Sequence, residues 1–319
     1  MTVNPSKTRT MIFSIKRHKI GHPLLSMGGC DIEEVETHTH VGLTLQNNMS
    51  WNMHITRIYE KACKRLNMLK SLKFKINRST LACLYKSLIR PIMEYGDVIW
   101  DNCTTGNSQL LESVQYEASR VVTGAIRGTS ANRLREELAW LDLSTRRKIH
   151  KLTYFYKIAN KIAPMYLVEL LPNLVRERSY ISLRSGPNVS SIACRTEKFR
   201  SSFFPSTVSL WNTLELDTRN SISLPAFKVK VNTIFFSLSY NKLFDFSLSR
   251  RASVLHTRLR LGFCALNDYL YKISCCDSPL CFCGLEKETV KKIFYYVLVL
   301  LLNALFFLPL LHVYVVRHG

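Results

Sequence analysis

From Ser50 onward, the apolar residues of this 319-residue chain recur at intervals of three and four, which is the spacing of one face of an α-helix. The first such run consists of Ile55, Ile58, Ala62, Leu66 and Leu69. Similar runs continue to Ile162 and return at Val208. Because this spacing does not suit a sheet, we predict a mainly α fold with a small β part, of the α+β class.

Capping residues and prolines predict where the helices begin and end. A second helix is expected to begin near Asn77 or Ser79, and Pro91 is expected to kink it or end it because proline lacks a backbone N–H. The apolar face expected for it is Leu81, Leu84, Leu88 and Ile92. The other helices expected are Ser108–Val122 before a C-capping Gly124, a short helix after Ser130, Thr145–Ile162, Val208–Asn220 and Pro225–Leu238.

The residues before the first helix have the short β-leaning stretches and turns of a small sheet. Thr10–Ile15 and Val41–Leu45 are the expected strands, and Gly28-Gly29 is the expected turn between them. Two or three strands make a poor core by themselves, so these strands are expected to belong to a sheet whose other strands are missing.

The charge balance predicts a polyanionic partner. The chain has 44 Lys and Arg against 23 Asp and Glu, a formal net charge of +21 and a pI near 9.7. Such an excess attracts nucleic acid or an anionic membrane. Between Arg57 and Arg90, ten cations accompany the single acid Glu60. The candidate nucleic-acid-binding residues are Lys7, Arg57, Lys61, Lys64, Arg65, Lys70, Lys73, Lys75 and Arg78; a merely solvated face is the alternative.

Aromatic residues divide into two predicted groups. Trp100, Trp140 and Trp211 lie among aliphatic residues and are predicted core anchors. A second group lies beside the basic stretch and favours a nucleic-acid-binding groove there: Trp51, Tyr59, Phe74 and Tyr85.

Ten cysteines are present, and we predict free thiols in a reducing compartment. Half of them are scattered among apolar residues, where small buried thiols are common: Cys30, Cys63, Cys83, Cys103 and Cys194. The rest lie between Cys264 and Cys283.

The segment from Ile293 to Val316 is a run of 24 residues that is apolar except at Asn303, Pro309 and His312. Its length is sufficient for a transmembrane helix, and the preceding Lys291-Lys292 favours a cytosolic start. Two interpretations of this apolar tail follow from its residues: a membrane anchor, and an amphipathic continuation that is buried against the protein core.

Several short stretches, in this order, resemble the region downstream of the active site in jockey-like non-LTR retrotransposon reverse transcriptases. They are Asn4–Thr8 with Met11–Ser14, His40–Leu45 with Trp51 and His54, Tyr95–Trp100 after Arg90-Pro91, Leu111–Gln115 with Ala118–Arg120, and Ser201–Pro205 with Leu210–Asn212 and Phe227-Lys228. The resemblance covers roughly Met1 to Thr289 and implies palm strands followed by a helical thumb, with a template-primer groove beside the basic stretch. Because the resemblance ends before the apolar tail, non-homologous read-through in a decayed or frameshifted copy of such an element is a third interpretation of the tail.

The resemblance also implies which chemistry to expect. These polymerases bind two Mg²⁺ ions partly through an aromatic-Ala-Asp-Asp turn, and this sequence has no Asp-Asp pair. Because the resemblance begins just after that turn, we expect no catalytic residue and no small-molecule substrate here. Lys7 matches the family lysine near the incoming nucleotide's phosphates. RNA or an RNA/DNA hybrid is the expected partner, in the cytoplasm or nucleus, or at a membrane if the apolar tail inserts.

The cysteine-rich segment resembles the start of the family's terminal zinc-knuckle-like motif. Cys275, Cys281 and Cys283 are degenerate metal candidates. Lys292 and Val297 stand where the family has a His and a Cys, so zinc binding is not expected and free thiols are.

Five regions are predicted along the chain. They are palm-remnant strands at 1–48, a basic helical thumb-like region at 49–128, a helical C-terminal region at 129–245 with a Ser/Arg-rich loop at 172–205, the degenerate cysteine-rich segment at 246–290 and the apolar tail at 291–319. The predicted function is sequence-nonspecific nucleic-acid binding by a polymerase fragment. A tail-anchored basic membrane protein of unrelated role is the alternative from a different class, and a remnant without a selected function is a third outcome.

The alternative makes a prediction of its own. If the apolar tail anchors the protein, the full chain resists carbonate extraction from membranes, whereas a chain ending at Lys292 stays soluble. Fractionation after carbonate treatment measures this directly. Release of the full chain into the supernatant would argue against an anchor.

Overall fold

The computed structural model describes residues 4, 7–14, 22–177, 187–236, 249–262, 264 and 266–293. These residues are mostly helical with two small sheets, so the mainly α prediction is confirmed. They divide into two compact units. Unit 1 takes its residues from Met1–Ser71, Ala82–Ala118 and Arg135–Tyr240, and unit 2 from Leu72–Leu81, Ser119–Leu134 and Asn241–Gly319.

Two β-hairpins precede the first helix. In the first hairpin, β1 (Ser26–Met27) pairs with β2 (Cys30–Asp31) across Gly28-Gly29, whose positive φ angles of 59° and 76° suit a tight two-residue turn. In the second, β3 (Thr37–His40) pairs with β4 (Leu43–Gln46). The Gly28-Gly29 turn is therefore confirmed. The strand predicted at Val41–Leu45 begins two residues too early, because Val41 and Gly42 form the turn with φ of 45° and 81°.

The helices of the described chain follow in order. They are α1 (Asn52–Ser71), α2 (Arg78–Leu84), a π-helical turn (Tyr85–Ile89), α3 (Arg90–Glu94), α4 (Asp97–Trp100), α5 (Thr105–Thr123), α6 (Ala131–Leu138), α7 (Leu143–Ala159), α8 (Met165–Val168), α9 (Glu197–Arg200), α10 (Phe203–Asn212), α11 (Leu216–Arg219), α12 (Leu224–Phe235), α13 (Arg250–Leu261) and α14 (Asn267–Lys272). A 3₁₀ turn occupies Val175–Glu177.

Pro91 does not end the second predicted helix, which widens into a π-turn just before it and continues to Glu94. The wider turn changes which side chains are buried. Of the predicted face, Leu81 alone is fully buried; the other buried residues are Tyr85, Ile89 and Met93, which follow Leu81 at a constant spacing of four. Leu88, predicted to be buried, is 41% exposed. The prediction failed because it assumed 3.6 residues per turn throughout.

Tyr85 links this helix to the rest of unit 1. Its ring stacks on Trp140 with centroids 4.3 Å apart, and its hydroxyl donates to Gln115 Oε1 at 2.8 Å. The Gln115 amide in turn donates to the Leu141 carbonyl at 2.9 Å. Burial raises the pKa of the Tyr85 phenol, which stays protonated and keeps its donor role.

The α7 helix is central to unit 1. It begins at Leu143 because the Asp142 carboxylate accepts from the Thr145 N–H at 3.0 Å. One face packs against α10 and α12, where the Phe155 ring lies 5.0 Å from Trp211 and the Tyr156 ring lies 4.4 Å from Phe227. Trp100, Trp140 and Trp211 are all buried, which confirms them as core anchors.

The other face of α7 forms ion pairs with carboxylates of the segment from α3 to the end of α4. The members of this α4–α7 charge network are Glu94, Asp97 and Asp101 with Arg146, Arg147, His150 and Lys151. Asp101 accepts from Arg147 at 2.8 Å and from Lys151 at 3.0 Å. Arg147 and Lys151 are almost fully buried; Arg147 Nη2 also donates to the Ser108 hydroxyl and Lys151 Nζ to the Ser206 hydroxyl, whereas Arg147 Nη1 is buried without a hydrogen-bond partner among the described residues.

In unit 2, arginines of α13 bind the carbonyls at the end of α5. Arg250 donates to the carbonyls of Val121, Val122 and Lys73 at 2.6 to 2.8 Å. The Val121 and Val122 carbonyls lie in the last turn of α5, where carbonyls lack a partner within the helix, so a cation at this end is favourable. Gly124 closes α5 as predicted, with φ +75°, and a Cβ there would overlap the Val254 side chain.

The apolar tail lies outside the described residues except for its first residue, Ile293. Among the helices that the structure does describe, none combines the length and the apolar character that a bilayer crossing requires.

The α4–α7 charge network predicts a large effect of a small change. Asp101→Asn removes the charge that neutralises two buried cations, so we expect a loss of about 3 kcal/mol or more of unfolding free energy in urea denaturation. Asp217→Asn is the matched control: its carboxylate is 81% exposed and pairs with Lys230 at 2.6 Å, and a loss below about 1 kcal/mol is expected. Equal effects of the two changes would contradict this reading of the network.

Candidate nucleic-acid interface

Four of the predicted cations share one exposed face of α1. Arg57, Lys61, Lys64 and Arg65 are all exposed, and their spacing of four, three and one keeps them on the same side of the helix. The opposite side is buried through the predicted apolar residues, namely Ile55, Ile58, Ala62, Leu66 and Leu69. We call these four cations the α1 basic face.

The members of the α1 basic face differ in their interactions. Arg57 donates from Nη1 to the hydroxyls of Thr39 and Thr44 at 3.0 and 3.3 Å, which holds its guanidinium against the second hairpin. Within the described part of the chain, Lys61, Lys64 and Arg65 make no hydrogen bond or ion pair. Three cations of this face are therefore available to an external anion.

His54 attaches the second hairpin to α1 from beneath. Its Nδ1 accepts from the Thr44 backbone N–H at 3.3 Å, and its ring lies between Trp51 and Trp100 with centroids 6.0 Å from each. Burial lowers the pKa of His54, and the charges of Arg57 and Lys61 lower it further. The ring is therefore neutral near pH 7 and adds no charge to the α1 basic face.

The other predicted cations are not on this face. Lys70 lies on another side of α1, 4.0 Å from the Glu117 carboxylate. Lys73, Lys75 and Arg78 belong to unit 2, where Arg78 donates to the Thr257 hydroxyl at 3.2 Å. Lys7 is exposed in the N-terminal segment.

The aromatic residues predicted beside the basic stretch have different exposures. Tyr85 is fully buried, so the expectation that it borders a template-primer groove is wrong. Trp51 is half-buried and donates from Nε1 to Asn102 at 2.7 Å. Tyr59 is half-buried as well, and Phe74 is 67% exposed. Only Phe74 of this set presents most of its ring to solvent.

The cysteine-rich segment does not bring its predicted metal candidates together. Cys281 and Cys283 form a disulfide, which corrects the expectation of free thiols at these positions, and Cys275 stays free. The Lys292 Nζ lies 3.2 Å from Cys281 Sγ and 3.6 Å from Cys283 Sγ. A positive ammonium group beside the sulfurs does not suit a zinc site, and the described residues contain no group of three metal-binding side chains.

The scattered cysteines Cys30, Cys63, Cys83, Cys103 and Cys194 are free, as predicted. Their predicted burial is wrong, because Cys30 and Cys83 are exposed and the other three are only partly buried. A cysteine on an apolar-looking stretch can face solvent, since sequence spacing alone does not fix the buried side of a short element.

Two curated proteins of Drosophila melanogaster are similar to part of this chain. "Probable RNA-directed DNA polymerase from transposon X-element" is 23% identical over 138 residues, which are 41% of this chain and 15% of that protein. "Probable RNA-directed DNA polymerase from transposon BS" is 24% identical over 139 residues, which are 42% of this chain and 15% of that protein. The chain thus spans about 15% of the length of these relatives. No family model and no solved structure matches the chain.

The buried His54 predicts a pH dependence of stability. Because its pKa lies below the ordinary 6.5 when folded, the unfolded chain binds the proton more readily. The contribution of the neutral ring is complete above pH 6.5 and is lost as the pH falls through the folded pKa. Urea denaturation of the unchanged chain and of His54→Asn, from pH 8 to pH 5, should show the unchanged chain losing more stability. A difference between them that is independent of pH would contradict the assignment.

Proposed function

We propose that this chain is a segment of an RNA-directed DNA polymerase of the jockey-like non-LTR retrotransposon kind, placed after the catalytic aspartates. Its proposed activity is sequence-nonspecific binding of a template-primer duplex. The similarity to two transposon polymerases supports the class of protein, and the formal charge of +21 supports the class of partner. In this proposal, the strands at 1–48 belong to a palm and the helices at 49–128 to a thumb.

The single observation that carries the binding proposal is the unpaired state of Lys61, Lys64 and Arg65. A phosphate that binds these side chains breaks no internal ion pair, so the free energy of counterion release is not offset by a lost interaction. Neighbouring cations on one helix face are about 5 to 6 Å apart at Cβ, and their flexible side chains can follow a backbone without reading bases.

Arg57 and His54 give this face a rigid base in the proposal. The Arg57 guanidinium is held by hydroxyls, which leave its charge intact, instead of by a carboxylate, which would neutralise it. The neutral His54 ring joins α1 to the second hairpin without placing a buried charge beneath the bound phosphates.

We propose that the chain does not itself polymerise. Two-metal phosphoryl transfer needs neighbouring carboxylates that are free to bind Mg²⁺, and the sequence has no Asp-Asp pair. The Asp97 carboxylate already contacts His150, and the Asp101 carboxylate already pairs with Arg147 and Lys151. Lys7 would then have no metal-bound nucleotide to contact.

The α1 basic face can be tested by charge neutralisation. Lys61→Gln, Lys64→Gln and Arg65→Gln together should weaken binding to an RNA/DNA hybrid and lower the slope of log K against log salt by about 2 to 3, since each phosphate contact contributes about 0.7 to 0.9. Arg57 is kept because it also holds the hairpin. Fluorescence anisotropy over a series of salt concentrations measures both quantities.

A matched control variant tests whether the location of the removed cations matters or only the change in net charge. Lys148→Gln, Lys161→Gln and Lys228→Gln remove the same number of exposed cations, whose side chains likewise make no hydrogen bond or ion pair with the described residues, from α7, the segment after it and α12. This variant should keep a salt slope close to that of the unchanged chain. Salt-insensitive binding by the unchanged chain, or equal losses in both variants, would reject the proposed interface.

A further inference from the structure

Unit 2 contains a groove between α13 and the segment that precedes α2. Its volume is about 580 Å³, which lies within the range of small-molecule sites. The residues that line this α13 groove are Phe74, Arg250, Arg251, Val254, Leu255 and Arg258. Three of these are apolar and three are arginines, and none is acidic.

Two of the arginines form a fixed wall of the groove. Arg250 donates to three backbone carbonyls, and Arg258 donates to the Gly124 carbonyl at 2.9 Å. Burial, together with the charge of Arg78, lowers the pKa of Arg250 to about 10, so it is still charged at neutral pH. Because these partners are neutral carbonyls, both guanidinium charges remain available to the electrostatic field of the groove.

The opening of the groove is apolar and exposed. Phe74 is 67% exposed and Leu255 is 59% exposed, so a large ring and a large aliphatic side chain face solvent together. The Lys73 ammonium lies 5.1 Å from the centroid of the Phe74 ring. Arg251 is exposed and makes no hydrogen bond or ion pair with the described residues.

We infer that the α13 groove binds an unpaired base of a single-stranded nucleic acid, with the base stacked on Phe74 and the adjacent phosphate on Arg251. An aromatic ring among cations is the combination that single strands need, because every base offers a π face and every nucleotide carries one negative charge. A duplex keeps its bases stacked and cannot offer one. An apolar protein segment would gain nothing from four nearby cations.

This inference rests on the proposed function for the class of partner, and it adds a second site with a different preference. The α1 basic face contacts backbone phosphates and is expected to bind a duplex. The α13 groove requires a free base, so the two sites respond differently to the same probes.

The test uses the full chain in non-ionic detergent and a single-stranded DNA of about ten nucleotides that contains 2-aminopurine, whose fluorescence is quenched by stacking. We expect quenching on binding by the unchanged chain. Phe74→Leu keeps an apolar side chain of similar size, and it should abolish the quenching and weaken the affinity at least about fivefold. Phe74→Trp should restore both. A strand with abasic sites should bind the unchanged chain and Phe74→Leu equally.

The outcomes separate this inference from the proposed function. Loss of quenching in Phe74→Leu, with hybrid binding and the thermal unfolding midpoint unchanged, supports the α13 groove. If Phe74→Leu leaves both the quenching and the affinity for the single strand unchanged, the inference is overturned. The proposed function still stands in that case if binding of the RNA/DNA hybrid depends on Lys61, Lys64 and Arg65. Preferential binding of an apolar peptide over the oligonucleotide would also overturn it.

Discussion

The pairing of carboxylates from α3 and α4 with the cations of α7 is the interaction on which unit 1 depends most. Arg147 and Lys151 are almost fully buried, and a buried cation without an acid would be strongly unfavourable. Asp101 accepts from both and so fixes two positions of α7 at once. The Trp100 ring lies beside the Arg147 guanidinium, at 5.6 Å, and excludes water from this side of the pair.

This charge network and the aromatic core occupy adjoining sides of one helix, because Lys151 lies four residues before Phe155 and also donates to Ser206 of α10. The ring contacts of Phe155 and Tyr156 draw α7 toward α10 and α12, while Arg147 and Lys151 bind the carboxylate that ends α4. A hydrophobic face tolerates small rotations of a helix, but an ion pair with defined hydrogen bonds does not. The combination therefore specifies the rotation of α7 more sharply than either set of contacts would.

The sequence predicted those parts of the fold that follow from local rules. The buried face of α1 and the end of α5 at Gly124 were both predictable, the first from apolar spacing and the second from the backbone freedom of glycine. The buried face after Leu81 was not predictable in this way, because a π-turn before Pro91 changes the spacing of the buried residues from an average of 3.6 to four. Similarly, nine cations were predicted for the candidate site, but five of them are not on the α1 basic face. The structure shows this through the contact of Lys70 with Glu117 and through the position of Lys73, Lys75 and Arg78 in unit 2, neither of which the sequence indicates.

The net charge of the chain is therefore a poor measure of how many positive charges are available to a polyanionic ligand. Asp101 neutralises the charges of Arg147 and Lys151. Arg250 and Arg258 instead donate hydrogen bonds to neutral backbone carbonyls, so their charges are not neutralised. A carbonyl holds a guanidinium in place without cancelling its field, so an arginine that caps a helix can both stabilise the fold and attract a phosphate. Arg57 does the same through hydroxyls. Cations held by neutral acceptors beside unpaired ones are thus the physical feature common to the α1 basic face and the α13 groove.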